Sequence, residues 1–397
     1  MILQSLSLTN FRSYVRLDVE FPQGITILSG GNAQGKTSLL ESLFYCATFA
    51  PILAGNDRQL INFEAQKQDL AVARIVVRYS RDQQNHQLEV RIIQESQNRI
   101  TRTRKEILWN GQKLRAQNAI GKFPAVLFIP QMTAILEGPP QERRRYLNIL
   151  LSQSEPGYAQ TLTEYKQALV QRNALLRQIA DKKSDPAQLE YWDELLSSRG
   201  GVLIQKRIKA LETLNEYAEE IHLQLTDRQE KLALIYNPSF DPLNPDRSNP
   251  VEENSGRRDG FSADEIASAM KAHLKTIRRR EIERGTSVIG PHRDDFQVCA
   301  NDIDLSLYGS RGQIRTALLS LKMAEIRWIQ DKTGTEPLLL LDETLAELDE
   351  KRRRDLLERL DQYNQGILTT TDLTHFSDDF LKKHTVWQIA NGVVQKD

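Results

Sequence analysis

The chain has 397 residues with 40% hydrophobic content, enough for two or three globular units of roughly 150 residues each. Lys plus Arg equal Asp plus Glu at 53 each, which excludes a general pull toward nucleic acid or anionic membrane and leaves any polyanion contact to a local patch. Two isolated cysteines, Cys46 and Cys299, exclude a disulfide framework or a zinc cluster and point to a reducing cytoplasm; Met1 is followed by no leader pattern, and no apolar run reaches the ~20 residues of a membrane helix.

In chain order, the stretch from Ile2 to Leu8 alternates like a strand, Ile25 to Ser29 reads as a buried strand, and Thr37 to Phe44 as a helix. Further β alternation covers Leu70 to Tyr79, His86 to Gln94, and Ile107 to Leu114 around the turn pair Asn110-Gly111, before a short apolar strand from Ala125 to Ile129 that stops at Pro130. The pattern turns helical at Pro139-Pro140, predicting helices over Arg143 to Leu151, Tyr158 to Ala180, Ala187 to Leu196 and Val202 to Leu225. Alternating charge along them predicts long, antiparallel, mostly exposed helices, an arm rather than a second core. Four prolines and many polar residues over 237–260 predict a mobile loop, after which Phe261 to Glu265 caps a returning helix. The last hundred residues read as α/β: a strand over Asp294 to Cys299, a helix from Arg311 to about Asp331, a strand over Leu338 to Leu341, a helix over Lys351 to Tyr363, and strands over Gly366 to Thr370 and near Val386 to Ala390. No internal repeat is visible.

The loop Gly30-Gly31-Asn32-Ala33-Gln34-Gly35-Lys36-Thr37, followed by Ser38, joins a strand to a helix, the context in which a Walker A motif binds a nucleotide. Its glycines let backbone N–H groups approach phosphates, Lys36 reaches the β and γ phosphates, and Thr37 offers its hydroxyl to Mg²⁺. Asp342, after four leucines, is the Walker B carboxylate that would hold Mg²⁺, and Glu343 is placed to polarise an attacking water. Lys36 and Asp342 stand 306 positions apart, so a large insertion interrupts a domain in which the two motifs are expected on neighbouring strands. Ser310-Arg311-Gly312-Gln313 opens a helix; Ser310 is a plain N-cap on local grounds, and with Gly312 it is also suited to receive the γ phosphate of ATP held by another subunit. Leu348-Asp349 matches the D-loop place, Gln131 the Q-loop place with a metal-sensing role, and Thr369-Thr370-Thr371 either the switch position or a plain polar strand end.

Basic clusters at Arg102, Arg104 and Lys105, at Arg143, Arg144 and Arg145, at Arg278, Arg279 and Arg280, and at Arg352 to Arg354 are the candidates for DNA phosphates; the second and third are carried forward as the DNA-binding expectation. No base-reading motif occurs, so such contact would be with backbone and shape. His292 has no triad partners and no second histidine at metal-ligand spacing.

The order of these motifs is that of ATP-binding-cassette heads, and the chain resembles the RecF family of recombination-mediator ATPases, relatives of SMC heads. The resemblance is carried by Asn10-Phe11-Arg12-Ser13-Tyr14, the Walker A loop, Phe128 to Gln131, Gly138-Pro139-Pro140 with Arg143 to Arg145, Gln171-Arg172-Asn173, the heptapeptide Gly290 to Phe296, Ser310 to Gln313, and the Walker B and D-loop tail. Glu343 stands where many relatives have a second Asp, and Ile314 where a polar residue is common. The resemblance implies an α/β ABC-type head, a P-loop core with an antiparallel β lobe, interrupted by a mostly α-helical arm: 1–137 and 285–397 for the head, 138–284 for the arm. It further implies an ATP-dependent homodimer that clamps double-stranded DNA near single-strand gaps, cooperates with RecR and RecO to load recombinase, and is reset by slow, weak ATP hydrolysis.

An ABC-transporter-like subunit is the second reading, opposed by the length of the arm and by a serine signature without the usual leucine opening. A small-molecule P-loop kinase leaves Ser310 and Asp349 unexplained, and no Asn-Lys-x-Asp motif supports a guanine switch. An SMC-like chromosome-structuring role is close in chemistry, but the arm lacks sustained heptads.

Overall fold

A computed structural model describes residues 1–97, 100–241 and 260–396. They form two compact units, Met1–Met132 with Glu325–Asp397, and Thr133–Ala324. Residues 242–259, most of the expected loop, lie outside the described part.

The first unit carries two sheets. One is antiparallel, ordered Tyr14–Glu20, Ile2–Phe11, Leu70–Arg81, Gln84–Gln97, Ile100–Trp109, Gln112–Leu114. The stretch Ile107 to Leu114 is two strands about the expected turn pair, because Asn110 (φ 50°) and Gly111 (φ 81°) make the left-handed two-residue turn of a hairpin. The other sheet is ordered Val393–Lys396, Thr385–Ala390, Gly24–Ser29, Gln365–Thr370, Leu338–Asp342, Ala125–Phe128, parallel except for the first pair. The four leucines before Asp342 are buried, as a strand covered on both faces requires. The helix Lys36–Thr48 packs on strands of both sheets and buries Leu39, Leu40 and Leu43 completely.

Walker A and Walker B do not sit on neighbouring strands. Gln365–Thr370 lies between them, pairing Thr370 with Ser29 and Thr369 with Asp342. Register thus brings Ser29, Thr370, Asp342 and Phe128 to the same edge of the sheet.

The second unit corrects the picture of an exposed arm without a core. Leu150, Leu176, Leu189, Leu203, Leu214, Ile266, Met270 and Leu274 are completely buried. The two helices expected between Ala187 and Leu225 are one, Leu189–Leu225, which runs through Gly200-Gly201. These glycines let the Ala263–Arg284 helix approach: a Cβ on Gly201 would lie 2.4 Å from the Ala263 carbonyl oxygen, and one on Gly200 3.0 Å from Met270 Sδ. The capping box at the start of that helix is formed, with Ser262 and Glu265 bonding reciprocally.

Residues 285–324, expected with the C-terminal head segment, group with this unit. The physical reason is a small sheet: Leu232–Asn237, unforeseen in sequence, pairs antiparallel with Asp295–Ala300, which also pairs with Ile303–Asp304. The start of the expected loop is accordingly structured, with Asn237 in the strand and Phe240 and Asp241 buried.

Candidate nucleotide site

The loop between Ser29 and Lys36 is held open by backbone geometry. Gly30 (φ 158°) donates to the Thr370 carbonyl at 3.2 Å, and a Cβ there would lie 2.3 Å from Ile389 O. Gly35 (φ 107°) is the N-cap of the Lys36–Thr48 helix, and its carbonyl accepts from the Tyr14 hydroxyl at 3.0 Å. Any side chain at this left-handed position would meet that hydroxyl at 2.9 Å. The turn Asn391-Gly392 braces the far side: the Asn391 N–H donates to Gln34 Oε1 at 2.6 Å and the Gly392 N–H to the Gln34 carbonyl at 3.2 Å. Tyr14 and Asn391-Gly392 were not among the expected site residues; only an Asn-Gly pair near the chain end hinted at the second.

Lys36 is 5% exposed, and its ammonium donates to the carbonyls of Gly30 at 2.6 Å and Gly31 at 3.0 Å, with Glu343 Oε1 at 3.3 Å. Thr37 donates its hydroxyl to the Asp342 carboxylate at 2.8 Å. Thr369 donates to Asp342 Oδ1 at 2.7 Å while accepting the Glu343 N–H at 3.1 Å. Glu343 is left-handed at φ 50°, ψ 16°, which costs a non-glycine residue roughly 1–2 kcal/mol. Its carboxylate accepts from the Thr371 N–H at 3.3 Å. Burial raises the Asp342 pKa, opposed by the hydrogen bonds from Thr369 and Thr37.

This donor set suits a nucleoside triphosphate with a divalent cation. The first turn of the helix has no side-chain cap and no acidic residue, so its N–H groups, with Asn32 to Gly35 before them and Ser38 behind Thr37, line an anion-binding cradle. Among the described residues no group of three or more His, Cys, Asp or Glu side chains gathers to hold a metal. A hydroxyl beside a single carboxylate matches instead a Mg²⁺ that takes most of its oxygens from phosphate and water. Gln131 is exposed in a short 3-10 segment, Pro130–Thr133, beyond the Ala125–Phe128 strand, with no hydrogen bond to Thr37 or Asp342.

Ser310 and Asp349 both cap helices. The Ser310 hydroxyl accepts the Gln313 N–H at 3.2 Å while Gln313 Oε1 accepts the Ser310 N–H at 3.0 Å, and Gln313 is anchored to Glu230 at 2.8 Å. Ser310 remains exposed, with Gly312 half-buried beside it. Asp349 accepts the Arg352 N–H at 3.0 Å, and this bond and the Arg352 charge keep its carboxyl below the usual range.

Most of the expected DNA-binding arginines are committed elsewhere. Arg143 is buried and pairs bidentately with Asp295 at 2.7 and 2.9 Å, besides donating to Gly138 O. Arg144 donates to Asp294 O at 2.8 Å, and Arg145 is half-buried. Arg278 pairs with buried Asp193 at 2.7 Å and Arg279 with Glu283 at 3.1 Å; of this run, only Arg280 is exposed without a partner among the described residues. The Gly290 to Phe296 heptapeptide is a structural hub. Asp294 accepts from the Tyr236 hydroxyl at 2.5 Å and from Ser239 N and Oγ at 2.8 and 2.9 Å, and Arg207 donates to Pro291 O. His292 is half-buried against Tyr165, and desolvation pushes its pKa down to about 4, which suits a neutral structural histidine.

The model for the RecF/RecN/SMC N terminal domain matches residues 2–392. The DNA replication and repair protein RecF of Roseiflexus castenholzii is 37% identical, with 99% of each chain covered. The chain belongs to the RecF family. The RecF of Ligilactobacillus salivarius is 35% identical over 100% of this chain and 98% of its own. A solved structure of the recombination mediator protein RecF-ATPrS in the RecFOR pathway superposes with a TM-score of 0.83 at 28% identity, covering 99% of this chain and 97% of that one. An Smc head bound to the C-winged helix domain of ScpA, at 13% identity and TM-score 0.52, shares the fold. The RecF family is one of DNA replication and repair proteins with an ABC-type ATPase head, which agrees with the P-loop sheet and antiparallel lobe described above.

Proposed function

We propose that this chain is an ATP-gated DNA clamp of recombinational gap repair. The observation that carries the reading is the network in which Thr37, Asp342, Thr369, Glu343 and Lys36 converge on one sheet edge. Lys36 exchanges its two loop carbonyls for the β and γ phosphates of ATP, whose other oxygens meet the N–H groups of the helix start. Thr37 and Asp342 would hold Mg²⁺, with Gln131 as its sensor, and the ion would supply neutralisation of phosphate charge. Glu343, fixed through Thr369 and Thr371, orients and deprotonates the attacking water.

Ser310, Gly312 and Asp349 act across a homodimer, closing on the nucleotide of a second copy. The dimer holds double-stranded DNA near single-strand gaps in the cytoplasm, works with RecR- and RecO-type mediators, and is released by slow hydrolysis. The mediator named in the RecFOR structure supports this assignment. Among the described residues no helix is long and apolar enough to cross a membrane.

The test is fluorescence anisotropy of a gapped duplex titrated with the protein in ATP-Mg²⁺ and in ADP-Mg²⁺. Tight binding with ATP alone is the expected result. Equal binding in both states, or none in either, overturns the clamp.

A further inference from the structure

One end of the helical unit gathers cations that lie far apart in sequence. The Tyr158–Ala180 helix turns through 181–188 into the Leu189–Leu225 helix, and the Ala263–Arg284 helix ends beside that turn. The junction is apolar inside: Leu175, Leu176, Ile179 and Leu189 form a buried cluster on which Ile282 packs. It is close-packed as well, since a Cβ on Gly285 would lie 2.8 Å from Arg177 Cγ. Outside, Arg177, Lys182, Lys183, Arg279, Arg280 and Arg284 are all exposed.

Two of these are neutralised locally, Lys183 by Asp181 at 3.1 Å and Arg279 by Glu283 at 3.1 Å. Among the described residues, the side chains of Arg177, Lys182, Arg280 and Arg284 make no hydrogen bond or ion pair. Arg280 and Arg284 are four apart on one helix, about 5–6 Å between Cβ atoms, where like charges are destabilising by a few tenths of a kcal/mol. Helix ends account for part of the pattern, because Arg177 and Arg284 lie in last turns, where a cation answers the dipole. Two helix C-termini carry about one negative charge together, against four unpaired cations. Among the described residues the remainder has no paired counter-charge, in a chain whose overall charge is zero.

Resting on the clamp reading, we propose that this end of the helical unit grips the phosphate backbone of double-stranded DNA through Arg177, Lys182, Arg280 and Arg284. Long cationic side chains on a rigid, buried base, with no base-reading array among them, suit a duplex read by charge rather than by sequence. Of the Arg278 to Arg280 run only Arg280 takes part, because its two neighbours are already paired.

The test uses the full chain in ATP-Mg²⁺ and a labelled duplex, with affinity measured across a salt series. Replacing all four residues (Arg177→Ala, Lys182→Ala, Arg280→Ala, Arg284→Ala) is expected to flatten the slope of log affinity against log salt by about 3 to 4 and to lower affinity about 100-fold. Nucleotide affinity and Tm stay at wild-type values, and Arg→Lys replacements at the three arginines restore most of the binding. A comparison variant, Arg115→Ala with Lys382→Ala, removes two other exposed cations and is expected to change neither slope nor affinity. The proposal is overturned if the four-residue variant binds the duplex with wild-type affinity and slope, including the case in which it loses an acidic protein partner instead. Tighter binding of a single strand of equal length overturns the assignment to duplex. A wild-type chain that binds no duplex in ATP-Mg²⁺ means that the clamp reading itself has failed.

Discussion

Thr37 donates its hydroxyl to the carboxylate of Asp342 across 305 positions of chain, at 2.8 Å to one oxygen and 3.0 Å to the other. The two side chains fall together because Gly24–Ser29 and Leu338–Asp342 both pair with Gln365–Thr370, and register places their ends on one edge. A site cut in two by an insertion is thus rebuilt by a strand that neither motif contains.

Replacing Glu343 by Gln removes the carboxylate that faces Lys36 and Thr371 while preserving shape. Hydrolysis should fall by about 10²–10⁴-fold with ATP affinity kept, trapping an ATP-bound dimer. Single-turnover hydrolysis with light scattering reads both, and normal turnover would take Glu343 out of the mechanism. In the same assays Lys36→Arg should weaken ATP-dependent dimerisation, since a guanidinium does not fit the Gly30 and Gly31 carbonyls as an ammonium does.

Asp342 is a buried acid whose pKa is raised, so its charge opposes folding above that pKa, and the penalty is relieved as pH falls through it. Asp342→Asn should therefore raise Tm by a few degrees at pH 7. The advantage over wild type should shrink on acidification. Nucleotide binding with Mg²⁺ should be lost. Melting curves from pH 7 to pH 4 check the sign; a gap that widens toward low pH would contradict it.

Ser310→Arg deletes an N-cap and fills the exposed helix start with a bulky cation. The cap loss costs about 1 kcal/mol. A folded monomer that binds ATP with wild-type affinity but no longer dimerises is the expected product. Dimerisation equal to wild type, measured by sedimentation, would remove Ser310 from the interface.

Gly201→Ala sets two effects against each other. Alanine favours a helix interior by about 1 kcal/mol, but its Cβ would meet the Ala263 carbonyl oxygen at 2.4 Å and the Ala267 Cβ at 2.9 Å. Backbone cannot retreat cheaply, so overpacking wins and a net loss of roughly 1–2 kcal/mol is expected in urea unfolding. A stabilised variant would mean that the two helices separate without cost.

Arg143→Ala leaves Asp295 without its bidentate partner in a largely buried setting. The expected cost is about 3 kcal/mol of stability. The salt slope of DNA binding should not change, which separates this structural arginine from the phosphate contacts proposed at Arg280 and Arg284.

Local pattern was enough to read the P-loop, since a strand, a glycine-bearing turn and a helix start are adjacent in sequence and their backbone demands are local. The leucine run before Asp342 and the capping signals at Ser262 and Ser310 were legible for the same reason. What depended on distant partners was not. Gly200-Gly201 reads as a break in a helical pattern, and only the Ala263–Arg284 helix makes it a close crossing inside one continuous helix. A triple arginine reads as a solvated basic run, yet Asp295, 152 positions away, makes Arg143 part of the core. The sequence by itself determined the nucleotide loop, its acidic counterpart and the alternation of strands and helices. Tertiary structure alone decided which strand separates the two motifs, which cations are spent in ion pairs, and which remain free at the end of the helical unit, because strand order and charge pairing are set by neighbours that no local window contains.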